Sequence, residues 1–216
     1  VTVFPHEAVD VVHARARTVL YDVDVARALD AASRAQGVVT PVHLKIETGT
    51  HRQGLDLKDA LLFADAIGSM SGLVLEGVTT HFADIEDSTD HRFADAQWSA
   101  LVEARTAFSA RVPSLVAHAA NSAATILEKK THGDLVRAGI STYGLWPSKE
   151  TLAAWRERQT GTAPTLQPVL AWRARIAQVK DVAAGAYVGY GRTYRTTRPS
   201  KIAILPVYSG FSRSCQ

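Results

Sequence analysis

The strongest constraint on the fold is a regular alternation of short apolar runs, rich in β-branched residues, with longer stretches of helical periodicity. The runs predict strands, and the stretches between them predict helices. We expect strands at residues 1–3, 18–21, 42–46, 73–80, 114–118 and 135–136, and helices at residues 7–16, 25–36, 57–70, 90–110 and 121–129. This order of elements is typical of βα units on a parallel sheet that is covered on both faces.

A closed barrel of such units has eight strands. The six predicted strands therefore indicate an α/β chain that forms most of a (β/α)8 TIM-type barrel and lacks about two βα units. Beyond residue 147, a loop rich in Thr, Gly and Pro at 160–168 precedes alternating runs at 170–179 and 202–207. We expect a boundary near Pro164, with a partial barrel domain at residues 1–163 and the start of a β-rich C-terminal domain at residues 164–216.

The charges are spread along the chain. Its 24 basic and 21 acidic residues give a net charge of +3, without the block of like charges that a nucleic-acid-binding arm carries. No run reaches the roughly 18 apolar residues of a membrane helix, so we expect neither nucleic acid nor membrane as a partner. The single cysteine, Cys215, forms no internal disulfide, and a cytoplasmic location is the default. Because the chain starts at Val1 and its only methionine is Met70, we interpret it as a fragment.

Reactive groups of a βα barrel lie at the C-terminal ends of its strands. Lys45 and Arg52 follow the run at 42–46, with Gly49 free to form the turn between them. A solvated strand end, with a salt bridge to Glu47, explains these cations equally well. His81 follows the run at 73–80 and suits a ligand, a base, a ring-stacking group or a core residue. The acidic residues after it favour a solvated loop over a metal site.

Two further strand ends favour an anion. Asn121 and Ser122 cap a predicted helix after the fifth predicted strand, at 114–118, where backbone N–H groups and a hydroxyl face outward, although a plain helix cap is commoner. Gly139, beside Arg137, lets the backbone approach the same anion. Together these ends predict a phosphorylated ligand. Tyr190 lies between two glycines, which a tight β-turn also explains.

These clusters, in this order, resemble those of the alanine racemase family, whose enzymes depend on pyridoxal phosphate. The resemblance extends from about residue 42 to the C-terminus and is specific in combination. It rests on His43-Leu44-Lys45-Ile46-Glu47-Thr48-Gly49 with Arg52, Thr80-His81-Phe82-Ala83, Ala120-Asn121-Ser122-Ala123, Val136-Arg137-Ala138-Gly139-Ile140 with Tyr143-Gly144-Leu145, and Val188-Gly189-Tyr190-Gly191.

The resemblance implies a barrel with pyridoxal 5'-phosphate at its mouth. It also implies a cytoplasmic head-to-tail homodimer with shared active sites, which interconverts L- and D-alanine for the cell wall by two-base proton transfer at Cα. Arg137 would donate to the pyridine nitrogen and keep it unprotonated, because a guanidinium retains its proton. Ser122, Gly139 and Ile140 would bind the phosphate of the cofactor, the latter two through backbone N–H groups, and Asn121 would also contact the cofactor.

Other roles follow from the same resemblance. Arg52 would contact the cofactor's phenolic oxygen or the substrate carboxylate, and Lys45, which is often carbamylated in this family, would steady Arg52. His81 would pack on the cofactor ring. Tyr190 would be one of the two catalytic bases, and Tyr208 would contact the substrate.

The chain also departs from the family pattern. The family's second base is a lysine at the end of the first barrel strand, and no lysine here occupies that place. The missing βα units are therefore the N-terminal ones, and we expect the fragment itself to be inactive. The segment 205–211 around Tyr208 is also short by a Gly and an Asp.

Three alternatives remain open. A decarboxylase of the same fold places an acid on the pyridine nitrogen, which Arg137 disfavours. A racemase of serine or of a basic amino acid would differ in residues that this chain lacks. A non-catalytic carrier would have no second domain, so the presence of Tyr190 and its strands disfavours a carrier. A non-catalytic remnant that binds the cofactor is compatible with the short segment around Tyr208.

Overall fold

A computed structural model describes residues 3–87, 90–158 and 165–207. The chain divides into two compact units, Val1–Val169 and Leu170–Gln216. The expected domain boundary, after residue 163, lies outside the described residues.

The first unit contains a four-stranded sheet in which the strands are parallel and follow chain order. Its strands are β1 (Thr18–Leu20), β2 (Thr40–Lys45), β3 (Leu73–Thr79) and β4 (Val116–His118). Its helices are α1 (Ala8–His13), α2 (Val23–Ala35), α3 (Leu57–Gly68), α4 (Arg92–Phe108), α5 (Ser122–Leu127) and α6 (Lys149–Arg158). Strands and helices therefore alternate as the apolar pattern predicts.

The sequence determines these elements through burial and capping. Side chains of the two inner strands, such as Val42, Leu44 and Val78, are inaccessible to solvent, which explains why the strands read as apolar runs. The Asp22 carboxylate accepts from two N–H groups at the start of α2, and Asp56 does the same for one N–H of α3. Each cap satisfies donors that the first turn of a helix leaves without partners.

Two expected strands of the first unit are absent from the described sheet. Residues 1 and 2 lie outside the described residues, and Val3 has no strand geometry. Residues 135–136 are also not a strand, because the segment after β4 shares only isolated backbone bonds with it, from Asp134 N to Ala117 O and from Arg137 N to Ala120 O. Two apolar residues are too few to hold a strand at this edge, and both are exposed.

The second unit is built from antiparallel pairs. Strand β5 (Gln178–Val182) pairs with β8 (Ser200–Ile204), and β6 (Tyr187–Val188) pairs with β7 (Tyr194–Arg195). The expected strand at 170–179 is wrong over residues 170–177, where the alternation of apolar residues meets no partner strand within the described chain. In the described parts of the chain, no helix is long and apolar enough to cross a membrane.

Candidate active site

The C-terminal edge of the parallel sheet brings polar side chains together. Lys45, Thr79 and His118 are the last residues of β2, β3 and β4, which lie side by side. Arg137 reaches this edge from the loop after α5, and His81 reaches it from the loop after β3. The sequence prediction that strand ends carry the site is consistent with this arrangement.

Arg137 is held by acceptors on both terminal nitrogens. Its Nη1 donates to Thr79 Oγ1 over 3.0 Å and to His118 Nδ1. Its Nη2 donates to the carbonyl oxygens of Thr80, over 2.7 Å, and Ala119, over 3.0 Å. The Nε–H has no acceptor among residues 3–87, 90–158 and 165–207. The guanidinium is thus fixed with one N–H available to a ligand.

Three cations of the described chain, Lys45, Arg52 and Arg137, lie close together at this edge. Burial lowers the pKa of Arg137 to about 10. Burial, and then the charges of Arg137 and Arg52, lower the pKa of Lys45 to about 8. Burial, and then the charges of Arg137, Lys45 and Arg52, lower the pKa of His81 to about 4. Positive charges that lower the pKa of Lys45 and of His81 in this way favour an anionic ligand.

Glu47 does not neutralise this cluster as a salt-bridge partner of Lys45. Burial alone would raise the pKa of the Glu47 carboxyl, but hydrogen bonds from Gly49, His51 and Thr50 lower it overall. Among the described residues no ion pair joins this carboxylate to Lys45. The carboxylate instead organises the turn after β2, and the alternative of a simple Lys45–Glu47 salt bridge is not what forms.

Two histidines at the strand ends, His118 and His81, predict a loss of stability in acid. Burial, and then Arg137, lower the pKa of His118 to about 3 and that of His81 to about 4, against an ordinary value near 6.5. Between these values the unfolded chain binds more protons than the folded chain, so stability is lost as pH falls from about 6.5 towards 3. We expect urea unfolding to give a free energy about 1–2 kcal/mol lower at pH 5 than at pH 6, after allowing for solvent screening.

The matching variant is His118→Gln, whose amide oxygen can still accept from Arg137 but does not titrate. We expect it to reduce the pH dependence by about half, since one of the two groups is removed. An unchanged slope would mean that His118 does not contribute to the acid response.

A second part of the site consists of a hydroxyl and backbone N–H groups. Ser122 Oγ accepts from the N–H of Gly139 over 2.8 Å and from the N–H of Ser141 over 3.3 Å. The N–H group of Ser141, which the sequence did not single out, thus lies beside Ser122 together with that of Gly139. The nearest atom to a Cβ on Gly139 would be Ser122 Oγ, at 3.8 Å. The glycine therefore leaves open space beside donors that suit a phosphate oxygen.

The other expected site residues have different settings. The Asn121 side chain caps α5 through Ala124 N and donates to Glu86 over 2.8 Å, so its polar atoms already have partners. Tyr190 lies in the second unit, in a tight turn with Gly189 and Gly191 at positive φ, and its side chain is fully exposed. Tyr208 lies outside the described residues.

Comparison with known proteins identifies the family. The family model for the alanine racemase N-terminal domain matches residues 2–147, and the family model for the alanine racemase C-terminal domain matches residues 169–216. This chain belongs to the alanine racemase family. An alanine racemase from Desulfosudis oleivorans is 42% identical over 194 residues, which are 84% of this chain and 47% of the relative. One from Leptospira interrogans is 40% identical over 179 residues, 80% of this chain and 44% of the relative.

Solved structures of alanine racemases have the same fold. The enzyme from Streptomyces coelicolor is 30% identical, with a TM-score of 0.71 over 91% of this chain and 50% of its own. The enzyme from Clostridium difficile, at 23% identity and a TM-score of 0.74, supports the fold alone. The expected architecture, a partial barrel followed by the start of a β-rich domain, is therefore confirmed. The chain spans about half the length of the curated relatives that it matches.

Proposed function

We propose that this chain is part of a pyridoxal-phosphate-dependent racemase that interconverts L- and D-alanine. The observation that carries the proposal is Arg137, a half-buried cation whose terminal nitrogens are fully engaged and whose Nε–H is free among the described residues. A single fixed donor of this kind suits a neutral aromatic nitrogen, which accepts one hydrogen bond in the plane of its ring.

The remaining residues fit the other parts of the cofactor. When bound, pyridoxal phosphate supplies an electron sink that stabilises negative charge at the substrate Cα. The Ser122 hydroxyl and the N–H group of Ile140 would hold the phosphate, and Asn121 would support this cap. The N–H groups of Gly139 and Ser141, which donate to Ser122 Oγ without a ligand, would turn to the phosphate. His81 would pack against the ring as a neutral imidazole, which its low pKa of about 4 favours.

Arg137 would also favour racemisation over other reactions of the cofactor. With a pKa of about 10 its guanidinium stays charged at neutral pH, so it donates a hydrogen bond to the ring nitrogen without transferring a proton. An unprotonated pyridine ring withdraws electron density from the substrate less strongly. This favours return of the proton to Cα over side reactions.

Two more cations, Arg52 and Lys45, would lie near the bound alanine. Arg52 would contact the phenolic oxygen of the cofactor or the carboxylate of alanine, and Lys45 would steady Arg52. With a pKa of about 8, Lys45 holds more neutral amine than an ordinary lysine and is therefore more open to carbamylation. Carbamylation would turn a repulsive neighbour of Arg52 into an anionic partner.

Inversion at Cα requires proton transfer on two faces. Tyr190 would serve one face and a lysine, as in the family, the other. We propose a cytoplasmic homodimer in which each active site takes Tyr190 from the partner subunit, and Tyr208 would contact the substrate. The fully exposed side chain of Tyr190 is compatible with donation to a second subunit.

Proton NMR of L-alanine in heavy water, with the complete gene product and pyridoxal phosphate, tests this proposal. We expect loss of the Cα proton signal and formation of the D isomer. Tyr190→Phe should slow the exchange by about a hundredfold or more, because general acid–base groups contribute at least that much. Tyr194→Phe, a change of the same kind at a nearby exposed tyrosine, should leave the rate unchanged.

Other results would redirect the assignment. Exchange with serine or a basic amino acid, but not with alanine, would establish a different racemase. Bound cofactor without exchange of any amino acid would leave a non-catalytic pyridoxal-phosphate-binding protein.

A further inference from the structure

A line of hydrogen-bonded side chains leads from Arg137 beneath the ends of the strands to the surface. His118 Nδ1 contacts Arg137 Nη1, and His118 Nε2 lies 2.9 Å from His43 Nδ1. His43 Nε2 lies 2.9 Å from the Glu76 carboxylate, which also accepts from Arg17 Nε over 2.6 Å. Both imidazoles are buried. None of the roles assigned above uses His43 or Glu76.

The chemistry of the two ends fixes the direction of every hydrogen bond in this line. A guanidinium only donates, so His118 Nδ1 must accept and its proton must be on Nε2. His118 Nε2–H then donates to His43 Nδ1, which places the proton of His43 on Nε2 as well. His43 Nε2–H donates to the Glu76 carboxylate, which only accepts. One arrangement of protons therefore satisfies all the contacts, and in it both rings are neutral.

A second observation concerns the space around His43. A Cβ built on Gly77 of β3 would lie 2.5 Å from His43 Nδ1, the atom that meets His118. Gly77 has no positive φ that would call for glycine. The Val116 carbonyl oxygen would lie equally close, at 2.5 Å, so the glycine leaves room both for the neighbouring strand and for the ring of His43.

We propose that His43 and Glu76 are positioning residues that hold His118 in the tautomer that accepts from Arg137. The opposite tautomers would place an N–H of His118 against the Nη1–H of Arg137, so that two donors face each other. Glu76 excludes this arrangement because it accepts the proton of His43, and Arg17 keeps the carboxylate charged by an ion pair. The inference rests on the proposed function only for the ligand atom that Arg137 would contact.

The tautomers can be measured directly in this chain without cofactor. Long-range proton–nitrogen NMR of histidine-labelled protein distinguishes a protonated ring nitrogen from an unprotonated one. At pH 7 we expect Nε2 to carry the proton and Nδ1 to be unprotonated in both His43 and His118. A proton on Nδ1 of either ring would overturn the proposal. This outcome is independent of racemase activity, so it separates failure of the inference from failure of the proposed function.

A matched pair of variants separates positioning from packing. His43→Leu removes the acceptor for His118 Nε2–H, while His43→Gln offers an amide oxygen at a similar reach. The measured quantity is the rate of guanidinium rotation at Arg137, followed by nitrogen NMR of arginine-labelled protein. We expect about a tenfold faster rotation in His43→Leu, the effect of one weakened hydrogen bond to a charged group, and about the native rate in His43→Gln. Equal rates in the two variants would show that His43 only fills space.

Discussion

Gly77→Ala is expected to lower the free energy of unfolding by about 3 kcal/mol, the upper part of the range for overpacking a buried site. The added Cβ would meet His43 Nδ1 and Val116 O, each at 2.5 Å. The carbonyl belongs to β4, so it cannot move without the strand, and His43 cannot move without losing His118. Relief of either contact therefore disrupts the centre of the parallel sheet.

Urea unfolding of the variant and the native chain measures this effect. The control is Gly68→Ala in α3, where an added Cβ has nothing within 4 Å. Because alanine favours a helix over glycine, we expect the control to be stabilised by about 0.5–1 kcal/mol. If Gly77→Ala lowers the free energy of unfolding by less than about 1 kcal/mol, the strand and the His43 ring can shift to accept the added methyl group, and the tight packing inferred here is wrong.

Local patterns predicted the parts of the fold that burial determines. The inner strands β2 and β3 are mostly apolar because they lie between neighbours and under helices, and both were predicted within a residue or two. Pairing is not local. The runs at 135–136 and 170–177 have the composition of strands but no partner in the described chain, and a strand without a partner does not form.

The candidate site shows the same division. Ser122, Gly139 and Arg137 could be singled out as candidates because each belongs to a short segment with its own chemical signature. The side chains that lead from Arg137 to the surface could not be recognised as a group, because they are far apart in the sequence. Glu76 is 33 residues from His43, and His118 is 75 residues from it. Only the order of the strands brings these three side chains together. His118 did offer one signal, because like His81 it is a histidine at the end of an apolar run.

Arg137→Leu is expected to change the site most. Loss of the guanidinium removes the donor from His118 Nδ1 and from the buried carbonyl oxygen of Ala119, and it removes a charge that faces the proposed ligand. We expect the dissociation constant for pyridoxal phosphate to rise by about ten- to a hundredfold, as for loss of a hydrogen bond to a charged group. Arg92→Leu changes the net charge equally at an exposed site and should leave binding unchanged.

The same variant has a consequence that needs no cofactor. Burial is the main cause of the low pKa values of His81 and His118, and the charge of Arg137 is the next. Without that charge both pKa values should rise towards the ordinary value, while burial keeps them below it. Histidine titration by NMR measures both. If both values stay near those of the native chain, Arg137 does not set the potential at the strand ends, and the weaker binding of pyridoxal phosphate would have to come from the lost hydrogen bond alone.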